Sequence, residues 1–413
     1  MNDSNDSNMR RWPEGWQLIR LENLIKEAQP GFACGERTEN GVIQLRMNNV
    51  DTNGNMIWKN FIRVPANEGK ISRYRLKTDD VLFNNTNSTE LVGKTALFSG
   101  HTEDVVYSNH FTRLRVDMDK LDPEYLASWL NHLWASKIFE GICNRWIGQS
   151  AVKIDKLLNL EIPLPLLSEQ KRIVAILNSH KSAIKQARPA AEAQLKAAKD
   201  LHEAYLRMVF ASQEATEWPK KRLGQISRLI SGGTPSRSKP EYFVGNLPWV
   251  KTLDLNCAVV EKTEECISDD AFAAIRGEML PVGTVMVAMY GGEGTIGKSG
   301  ILGLEAITNQ AICSILPNPE VFVPEFLHYW LILIRAEWMK HSSGNRRDPN
   351  INKNIVAQMD CPMPPISKQK QIAAYLSEKM TQADKLQGTL EVQLRSINEM
   401  PASMLRQAFS GDL

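Results

Sequence analysis

The sequence repeats itself at a spacing of 199 residues, and this repeat constrains the fold more than any other feature. Ile162–Leu177 aligns with Cys361–Leu376, and the same shift carries Leu206–Phe210 onto Leu405–Phe409 without a gap. A repeat of this period means that the chain is built from two related units.

Longer and more diverged stretches precede the similar segments, and they open with Trp12-Pro13 and Trp218-Pro219. The order is therefore variable, similar, variable, similar. We divide the chain into a disordered N-terminus over 1–11, a first domain over 12–166, a central helical region over 167–213, a second domain over 214–365 and a distal helical region over 366–413.

The similar segments are predicted to be helices, with Ser168 and Ser367 as N-caps after a proline-rich stretch. Apolar residues then recur in alternating steps of four and three, which is nearly a heptad pattern. A continuous helix over about 44 residues would be about 65 Å long, so we expect the two helices to pack on each other. Pro189 and Pro401 lie inside the pattern and are expected to bend or break the helices.

The variable stretches are predicted to be mixed α/β, because short β-branched or alternating runs are separated by turns such as Asn53-Gly54. The predicted strands are Val42–Arg46, Asp80–Phe83, Val105–Tyr107, Leu114–Val116, Leu247–Lys251, Val285–Met289 and Ala311–Leu316. Each stretch then ends in a predicted helix, Pro123–Phe139 in the first half and Pro324–Met339 in the second.

Composition limits the classes of function. The chain is 43% hydrophobic and 23% charged, which is typical of a folded protein, and its net charge of +2 excludes a polycation that binds nucleic acid through bulk charge. The six cysteines are widely spaced, which argues against zinc knuckles and a disulfide framework and favours a reducing cytoplasm. No apolar run is long enough to predict a membrane span.

One segment matches the phosphate-binding loop of nucleotide hydrolases, Gly292–Ser299. The following Gly300–Gly303 is not the helix that such a loop requires, and the aligned Ser88–Thr95 lacks the leading glycine. We therefore favour a strand–turn–strand loop whose lysine and hydroxyl meet a DNA phosphate, with a P-loop nucleotide hydrolase as the alternative.

Other catalytic centres find little support. Asp51 with Glu68–Lys70 resembles the acidic cluster of a metal-dependent nuclease, but the second half has no clear counterpart. No methyltransferase loop for a flipped base and no histidine pair with metal-ligand spacing occurs. The sequence therefore predicts a protein without a catalytic centre or a metal site.

Several loops carry residues suited to reading base edges, since Arg and Lys recognise guanine, Asn and Gln recognise adenine, and acidic side chains accept from cytosine. Arg46 aligns with Lys251 in the second half. Asparagine clusters are also common in ordinary loops. The candidate DNA-binding residues are Gln44, Arg46, Asn48, Asn49, Asn84, Asn85, Asn87, Lys94, Arg145, Gln149, Thr234, Trp249, Lys251, Thr252, Asp254, Tyr290, Glu293, Lys298, Asn345, Arg346 and Arg347.

The chain resembles the specificity subunit of a type I restriction-modification enzyme over nearly its whole length. The resemblance rests on Pro163–Gln170 and Pro362–Gln369, on the endings Leu206–Phe210 and Leu405–Leu413, on Ser231–Pro235 followed by Leu247–Thr252, and on the paired Gly-Lys loops. It implies two mixed α/β target-recognition domains, separated by two long helices that pair as an antiparallel rod with a pseudo-two-fold repeat.

The same resemblance implies a non-catalytic subunit that binds double-stranded DNA at a bipartite site, one domain per half-site. The implied partners are two modification (methyltransferase) subunits and ATP-dependent restriction subunits. S-adenosylmethionine, ATP and magnesium are then expected on those partners and no cofactor on this chain. The competing classes are a stand-alone enzyme that acts on DNA and a scaffold built around the rod without a role in DNA binding.

Overall fold

The computed structural model describes residues 13–291, 294–342 and 350–413. The predicted disordered N-terminus over 1–11 lies outside these residues. The chain divides into two compact units, Met1–Glu192 with Val392–Leu413 and Ala193–Glu391. Each unit therefore contains one variable stretch together with part of each long helix.

The first variable stretch is built from twelve strands and four short helices among its described residues. The strands are β1 (Gln17–Arg20), β2 (Ile25–Pro30), β3 (Val42–Leu45), β4 (Ile62–Val64), β5 (Val81–Asn84), β6 (Thr86–Asn87), β7 (Thr95–Leu97), β8 (Val105–Tyr107), β9 (Phe111–Val116), β10 (Asn144–Trp146), β11 (Gln149–Ala151) and β12 (Glu161–Leu164). The helices are α1 (Glu68–Tyr74), α2 (Pro123–Ala135), α3 (Ile138–Ile142) and α4 (Ile154–Leu158).

The second variable stretch lies between the long helices α5 (Leu167–Phe210) and α11 (Ile366–Ser410). Its strands are β13 (Lys220–Arg222), β14 (Leu229–Ser231), β15 (Leu247–Val250), β16 (Val259–Val260), β17 (Glu265–Ile267), β18 (Val285–Ala288), β19 (Ser299–Leu302), β20 (Ile307–Thr308), β21 (Ile312–Ile315) and β22 (Asp360–Pro362). Its helices are α6 (Gln213–Thr216), α7 (Leu223–Ile226), α8 (Asp269–Ala274), α9 (Pro324–Leu333) and α10 (Lys353–Gln358).

The two variable stretches share a core sheet topology, to which the first adds the sheet β10-β11-β6 and the second adds β16 beside β19. In the first, β2-β9-β5-β7 form an antiparallel sheet, β4-β3-β8 form a second sheet in which β3 and β8 are parallel, and β1 pairs with β12. In the second, the same places are taken by β14-β21-β18-β19, by β17-β15-β20 with β15 and β20 parallel, and by β13 with β22. The predicted mixed α/β repeat is confirmed, and the diverged sequences keep one scaffold.

Each of the predicted strands contains an observed strand or overlaps one, but the two predicted helices that end the variable stretches are too long. α2 ends at Ala135 because Lys137 adopts a left-handed conformation with φ +60°, and α3 begins after it. α9 ends at Leu333 and continues as a 3₁₀ helix over Ile334–His341. The predicted helices over Pro123–Phe139 and Pro324–Met339 are therefore corrected to shorter elements.

The long helices are continuous through their prolines. Pro189 is exposed, so the carbonyl oxygen that loses its helical hydrogen bond can be solvated, and α11 likewise includes Pro401. The helices therefore do not break at these prolines, and the expected bend stays a prediction. The N-caps are also corrected, because the first helical backbone bonds of α5 and α11 reach Leu166 and Pro365, which places Ser168 and Ser367 inside the first turn.

Segments of α5 and α11 pack against each other within each unit, and they run in opposite directions. In the first unit, Arg172 near the start of α5 donates to the carbonyl oxygen of Leu413, beyond the end of α11. In the second, Lys368 near the start of α11 pairs with Glu214, beyond the end of α5. The expected antiparallel helix pair is confirmed.

The buried stripe of α11 is narrower than predicted. Leu376, Ala383, Leu390 and Ile397, which follow one another at intervals of seven, are at most 8% exposed. Of the alternate positions of the predicted stripe, Ile372 near the helix start is 7% exposed, whereas Leu386 is 44% and Met400 is 45% exposed. Beyond the first turns of α11, one heptad position therefore carries most of the helix packing, where a full coiled-coil seam would bury two.

The core of the second unit contains a buried histidine, and we expect its protonation to destabilise the protein. Burial lowers the pKa of His328 from 6.5 to about 4, against a smaller opposing effect of the hydrogen bond with the backbone of Ser299. Since the unfolded chain takes up this proton at the higher pH, neutral His328 stabilises the fold fully above about pH 6.5 and loses that contribution as the pH falls toward about 4. At about 1.4 kcal/mol per pKa unit, the contribution is about 3 kcal/mol.

Urea unfolding of the wild type and of His328→Phe between about pH 7.5 and pH 4 measures this contribution. The wild type should lose stability relative to the variant as the pH falls. A stability difference that stays constant over this range would contradict the expected titration.

All six cysteines lie in described residues and are free thiols. In the part of the chain that the structure describes, no helix combines the length and the apolar character needed to cross a bilayer.

Candidate nucleic-acid interface

The loops that carry most of the predicted residues of the first unit meet at one edge of its sheets. β3 and β8 are parallel, so their carboxyl ends at Leu45 and Tyr107 lie together. β5 ends at Asn84, which is paired with Phe111 at the start of β9. This strand-end edge therefore collects the segments after β3, after β5 and after β8.

The asparagines of the loop over Asn84–Asn87, here called the asparagine loop, make hydrogen bonds within the first unit. The side-chain amide of Asn84 donates to the backbone oxygens of Thr86 and His110, and its oxygen accepts from Asn87. The amide of Asn85 donates to the hydroxyl of Thr112. These three predicted base-reading residues hold the loop in shape, and Asn84 is fully buried.

Gln44 and Asn49 have similar structural roles. Gln44 is 1% exposed and donates to the carbonyl oxygen of Phe32. Asn49 is fully buried, and its side-chain oxygen accepts from the backbone N–H of Arg46 while its amide donates to the carbonyl oxygen of Ile57. Both side chains are satisfied within the unit, which leaves Arg46, half-exposed, and Asn48, exposed, as the open residues of this loop.

Lys94 is placed differently from the expected phosphate contact. Its ammonium donates to the carbonyl oxygen of Val50 at 2.5 Å, the side chain is buried, and burial lowers the pKa of Lys94 although Asp51 opposes the shift. In this conformation Lys94 links two loops of the strand-end edge and does not reach the surface. Asp51 in turn accepts from the backbone of Asn53 and Asn55, so it caps a turn.

The Gly-Lys loops are strand–turn–strand connections, as predicted. Gly93 and Gly297 have φ of +97° and +73°, and a Cβ atom would lie 2.2 Å from the ring of Phe139 and 2.4 Å from that of Trp338, respectively. Each loop leads into a strand, β7 or β19, where a P-loop would lead into a helix. Backbone conformation and aromatic packing therefore explain the repeated glycine.

A hairpin formed by β10 and β11 extends this edge. β11 pairs with β6, so that Ser150 lies opposite Asn87, and the hydroxyls of Thr89 and Ser150 are 2.8 Å apart. The predicted residues Arg145 and Gln149 are both exposed on this hairpin. The structure thus unites two of the predicted loops in one small sheet.

The corresponding edge of the second unit, after β15, contains a cluster of side-chain ion pairs. Lys251, directly after β15, bonds Glu264 at 2.8 Å and Glu265 at 2.7 Å. Burial acts to lower the pKa of Lys251, but its bonds to the two carboxylates raise it overall. The hydrogen bond from Arg237 and then that from Lys251 lower the pKa of Glu265.

The neighbouring predicted residues differ in accessibility. Trp249 is 2% exposed and its indole N–H donates to the carbonyl oxygen of Gly233, so it is a core residue. Asp254 accepts from the backbone N–H of Lys251 and of Glu264, which fixes the turn after β15. Thr252 and Lys298 are half-exposed.

Two predicted residues of this second edge converge on a residue that the sequence analysis missed. The hydroxyl of Thr234 donates to the side-chain oxygen of Gln310, and Tyr290 also bonds the Gln310 side chain. Gln310 is exposed and follows β20, which is the counterpart of β8. A polar residue directly after a short predicted strand is the sequence pattern that could have identified Gln310. The predicted residues Glu293, Asn345, Arg346 and Arg347 lie outside the described residues.

These edges offer polar and cationic side chains without a metal centre. Among residues 13–291, 294–342 and 350–413, no group of three or more His, Cys, Asp or Glu residues could hold a metal ion. The arrangement is two structurally related edges with different side chains.

Comparison with known proteins decides the family. The model of the type I restriction modification DNA specificity domain matches the chain twice, over residues 13–193 and 215–394. The chain belongs to this family. As a type I specificity subunit, it carries DNA-recognition domains and is not a catalytic subunit, which confirms the interpretation of the chain as a non-enzyme.

Relatives of the type I specificity subunit include proteins from archaea and bacteria. The chain is 25% identical over 388 residues to the MjaX specificity subunit of Methanocaldococcus jannaschii, covering 88% of this chain and 86% of that protein. It is 25% identical over 289 residues to the EcoR124I/EcoR124II specificity subunit of Escherichia coli, covering 68% of this chain and 69% of the other.

Solved structures show the same fold. The HsdS subunit from Thermoanaerobacter tengcongensis matches with a TM-score of 0.67 at 22% identity, over 98% of each chain. A chain from a structure on complex assembly and conformational transition of the type I R-M system matches with a TM-score of 0.72 at 21% identity, over 98% of this chain and all of that chain. At these identities the likeness supports the fold alone.

Proposed function

We propose that the specificity subunit reads a bipartite double-stranded DNA target, with one recognition domain for each half-site. The observation that carries this proposal is the pair of strand-end edges, which share a topology but present different chemistry. Arg46 and Asn48 are open at the first edge, whereas Lys251 is held by two carboxylates at the second. Two readers of different sequences require this combination of one scaffold with two surfaces.

We further propose the five-part division given above, with recognition domains over 12–166 and 214–365 and helical regions over 167–213 and 366–413. The two family matches support it, since each spans one variable stretch and part of a helical region. The helices would set the spacing between half-sites and dock two modification subunits, which restriction subunits join.

The proposed partners account for the balanced charge of the chain. A net charge of +2 gives little electrostatic attraction to DNA by itself, so the modification subunits would supply much of the phosphate contact. We propose that S-adenosylmethionine is bound by the modification subunits, and ATP and magnesium by the partner complex, with no cofactor on this chain.

Methylome sequencing tests the proposed function directly. A strain that expresses the chain with its modification subunits should contain a methylated adenine motif made of two specific halves with a fixed gap. Deletion of this chain should abolish the motif while the modification subunits are still produced. A continuous motif, or methylation that persists after the deletion, would contradict the proposal.

Single substitutions at the two edges should affect separate half-sites. Arg46→Ala should weaken binding by about 1–3 kcal/mol through one half-site, because a guanidinium contact to guanine is lost. Lys251→Ala should weaken binding through the other half-site, since it removes a cation and releases the carboxylates of Glu264 and Glu265. Titration of duplexes with one half-site scrambled measures each effect.

A matched control is Arg20→Ala, because this exposed arginine lies on β1, in a sheet apart from the edge. It should leave both half-sites unaffected. Equal losses at both half-sites for Arg46→Ala, or no loss at either, would count against two independent readers.

A further inference from the structure

The tip of the β10–β11 hairpin exposes two large apolar side chains. Trp146 is 61% exposed and Ile147 is 106% exposed, while Trp146 pairs with Gln149 across a two-residue loop. Such loops usually carry glycine, asparagine, aspartate or serine. Gly148, with φ +75°, meets this preference, but isoleucine at the other loop position gains no packing within the chain. Folding therefore does not explain the apolar tip.

The root of the hairpin holds this tip in a fixed place beside the asparagine loop. Ser150 and Ala151 pair with Asn87 and Thr86 of β6. The backbone N–H of Val152 donates to the carbonyl oxygen of Asn85 at 2.9 Å. The tip is thus part of the same edge as the predicted DNA-binding loops, and it is supported by a paired sheet.

The charges around the tip favour a polyanionic partner. The segment over 144–153 contains Arg145 and Lys153 and no acidic residue. The guanidinium of Arg145 donates to the backbone oxygen of Glu140. The acids Glu140 and Asp155 lie just outside this segment of the sequence. Glu90 is close enough to be affected by Arg145: hydrogen bonds with its own backbone and Ser88 lower the pKa of Glu90, and Arg145 adds a smaller effect. DNA matches this combination, because its phosphates attract the cations and its base steps accept an inserted apolar side chain.

We propose that Trp146 and Ile147 form a wedge that inserts between stacked base pairs of the double-stranded DNA target, with Arg145 on the adjacent phosphates. Insertion buries both side chains and kinks the duplex, and the burial offsets the loss of base stacking. Flexible pyrimidine–purine steps would accept the wedge most readily, so the tip adds sequence preference without hydrogen bonds to bases. This inference rests on the proposed DNA-binding function.

The test uses the full chain in complex with its modification subunits. The probe is a duplex with the motif found by methylome sequencing, with 2-aminopurine placed in turn at bases other than the methylated adenine, and with a donor and an acceptor dye at its ends. The wild type should raise 2-aminopurine fluorescence at one step of one half-site and shorten the distance between the dyes. Trp146→Ala with Ile147→Ala should lose both signals and bind about tenfold more weakly or worse.

Two further variants make the result specific to the tip. Met118→Ala alters a residue of the same unit that is 56% exposed, and it should leave both signals unchanged. Trp146→Phe should retain most of the fluorescence change, since an aromatic ring remains. Unchanged melting temperatures would show that all variants fold, as expected for exposed positions.

The wedge is overturned if the double variant bends and unstacks the duplex as the wild type does. It is also overturned if the double variant no longer binds the modification subunits but keeps both DNA signals, because the tip would then be a protein interface. Failure of the wild type to bind any motif would overturn the proposed function and the wedge with it, and this result is distinct from a loss confined to the double variant.

Discussion

Gln170→Leu is expected to destabilise the first unit by about 3–5 kcal/mol, because one buried amide satisfies three backbone groups. The Gln170 side chain is fully buried near the start of α5. Its oxygen accepts from the backbone N–H of Asp122 at 2.8 Å, just before α2, and its amide donates to the carbonyl oxygens of Lys120 and Pro165, each at 2.9 Å. Leucine fits the space but leaves all three groups without this partner.

Urea or guanidinium unfolding measures this loss. Gln186→Leu is the matched control, because Gln186 is exposed on the same helix and its replacement should change stability by less than about 0.5 kcal/mol. A loss as small as that of the control would mean that water or a shifted backbone replaces the amide.

The second unit offers an independent repetition of this experiment. Gln369 is 1% exposed, accepts from the backbone N–H of Val323 and donates to the carbonyl oxygens of Val321 and Pro364. Gln369→Leu should therefore cost a similar free energy of unfolding. If only one of the two variants were destabilised, the shared structural role inferred for these glutamines would be wrong.

Phe409→Ala is expected to cost about 3–5 kcal/mol, which is the usual range for removing a buried aromatic ring. Phe409, at the end of α11, is 1% exposed, and its ring centroid lies 4.9 Å from that of Trp129 and 5.2 Å from that of Tyr125. Both partners belong to α2. The substitution therefore opens a cavity where the long helix meets the recognition domain of the first unit.

Phe210→Ala provides the comparison, since Phe210 occupies the same place in the repeat. Its ring packs on Phe326 at 5.3 Å, but the side chain is half-exposed, so we expect a loss of only about 1–3 kcal/mol. Thermal and denaturant unfolding of both variants check the order. A larger loss for Phe210→Ala than for Phe409→Ala would contradict the burial-based ranking.

The repeat predicted much of the fold because local patterns determined it. β-branched runs located strands such as Val105–Tyr107, and the long apolar stripe located α5 and α11. The helix ends were less predictable. Serine is a good N-cap, which is why Ser168 and Ser367 were predicted. In the fold, the buried side chains of Gln170 and Gln369 hydrogen-bond the recognition domain near the start of each helix. These contacts join residues that are distant in sequence, so local patterns do not reveal them.

The candidate site could be predicted as a set of loops but not residue by residue. An amide that reads a base and an amide that supports a loop look alike in sequence, and Asn84, Gln44 and Asn49 are of the second kind. Their partners are backbone groups that only the folded sheets bring near. The apolar tip at Trp146 was visible in the sequence, but its exposure follows from the pairing of β10 with β11.

At the strand-end edge of the first unit, some polar residues are needed to maintain the fold and others are free to vary in evolution. Asn84, Asn85 and Asn87 hold the edge together through side-chain bonds, whereas Asn48, Arg145 and Gln149 project from it. New target preferences could therefore evolve through the projecting positions without loss of folding. A library that randomises only those positions should yield mostly folded proteins with varied binding, and one that randomises the loop asparagines should yield mostly unfolded ones.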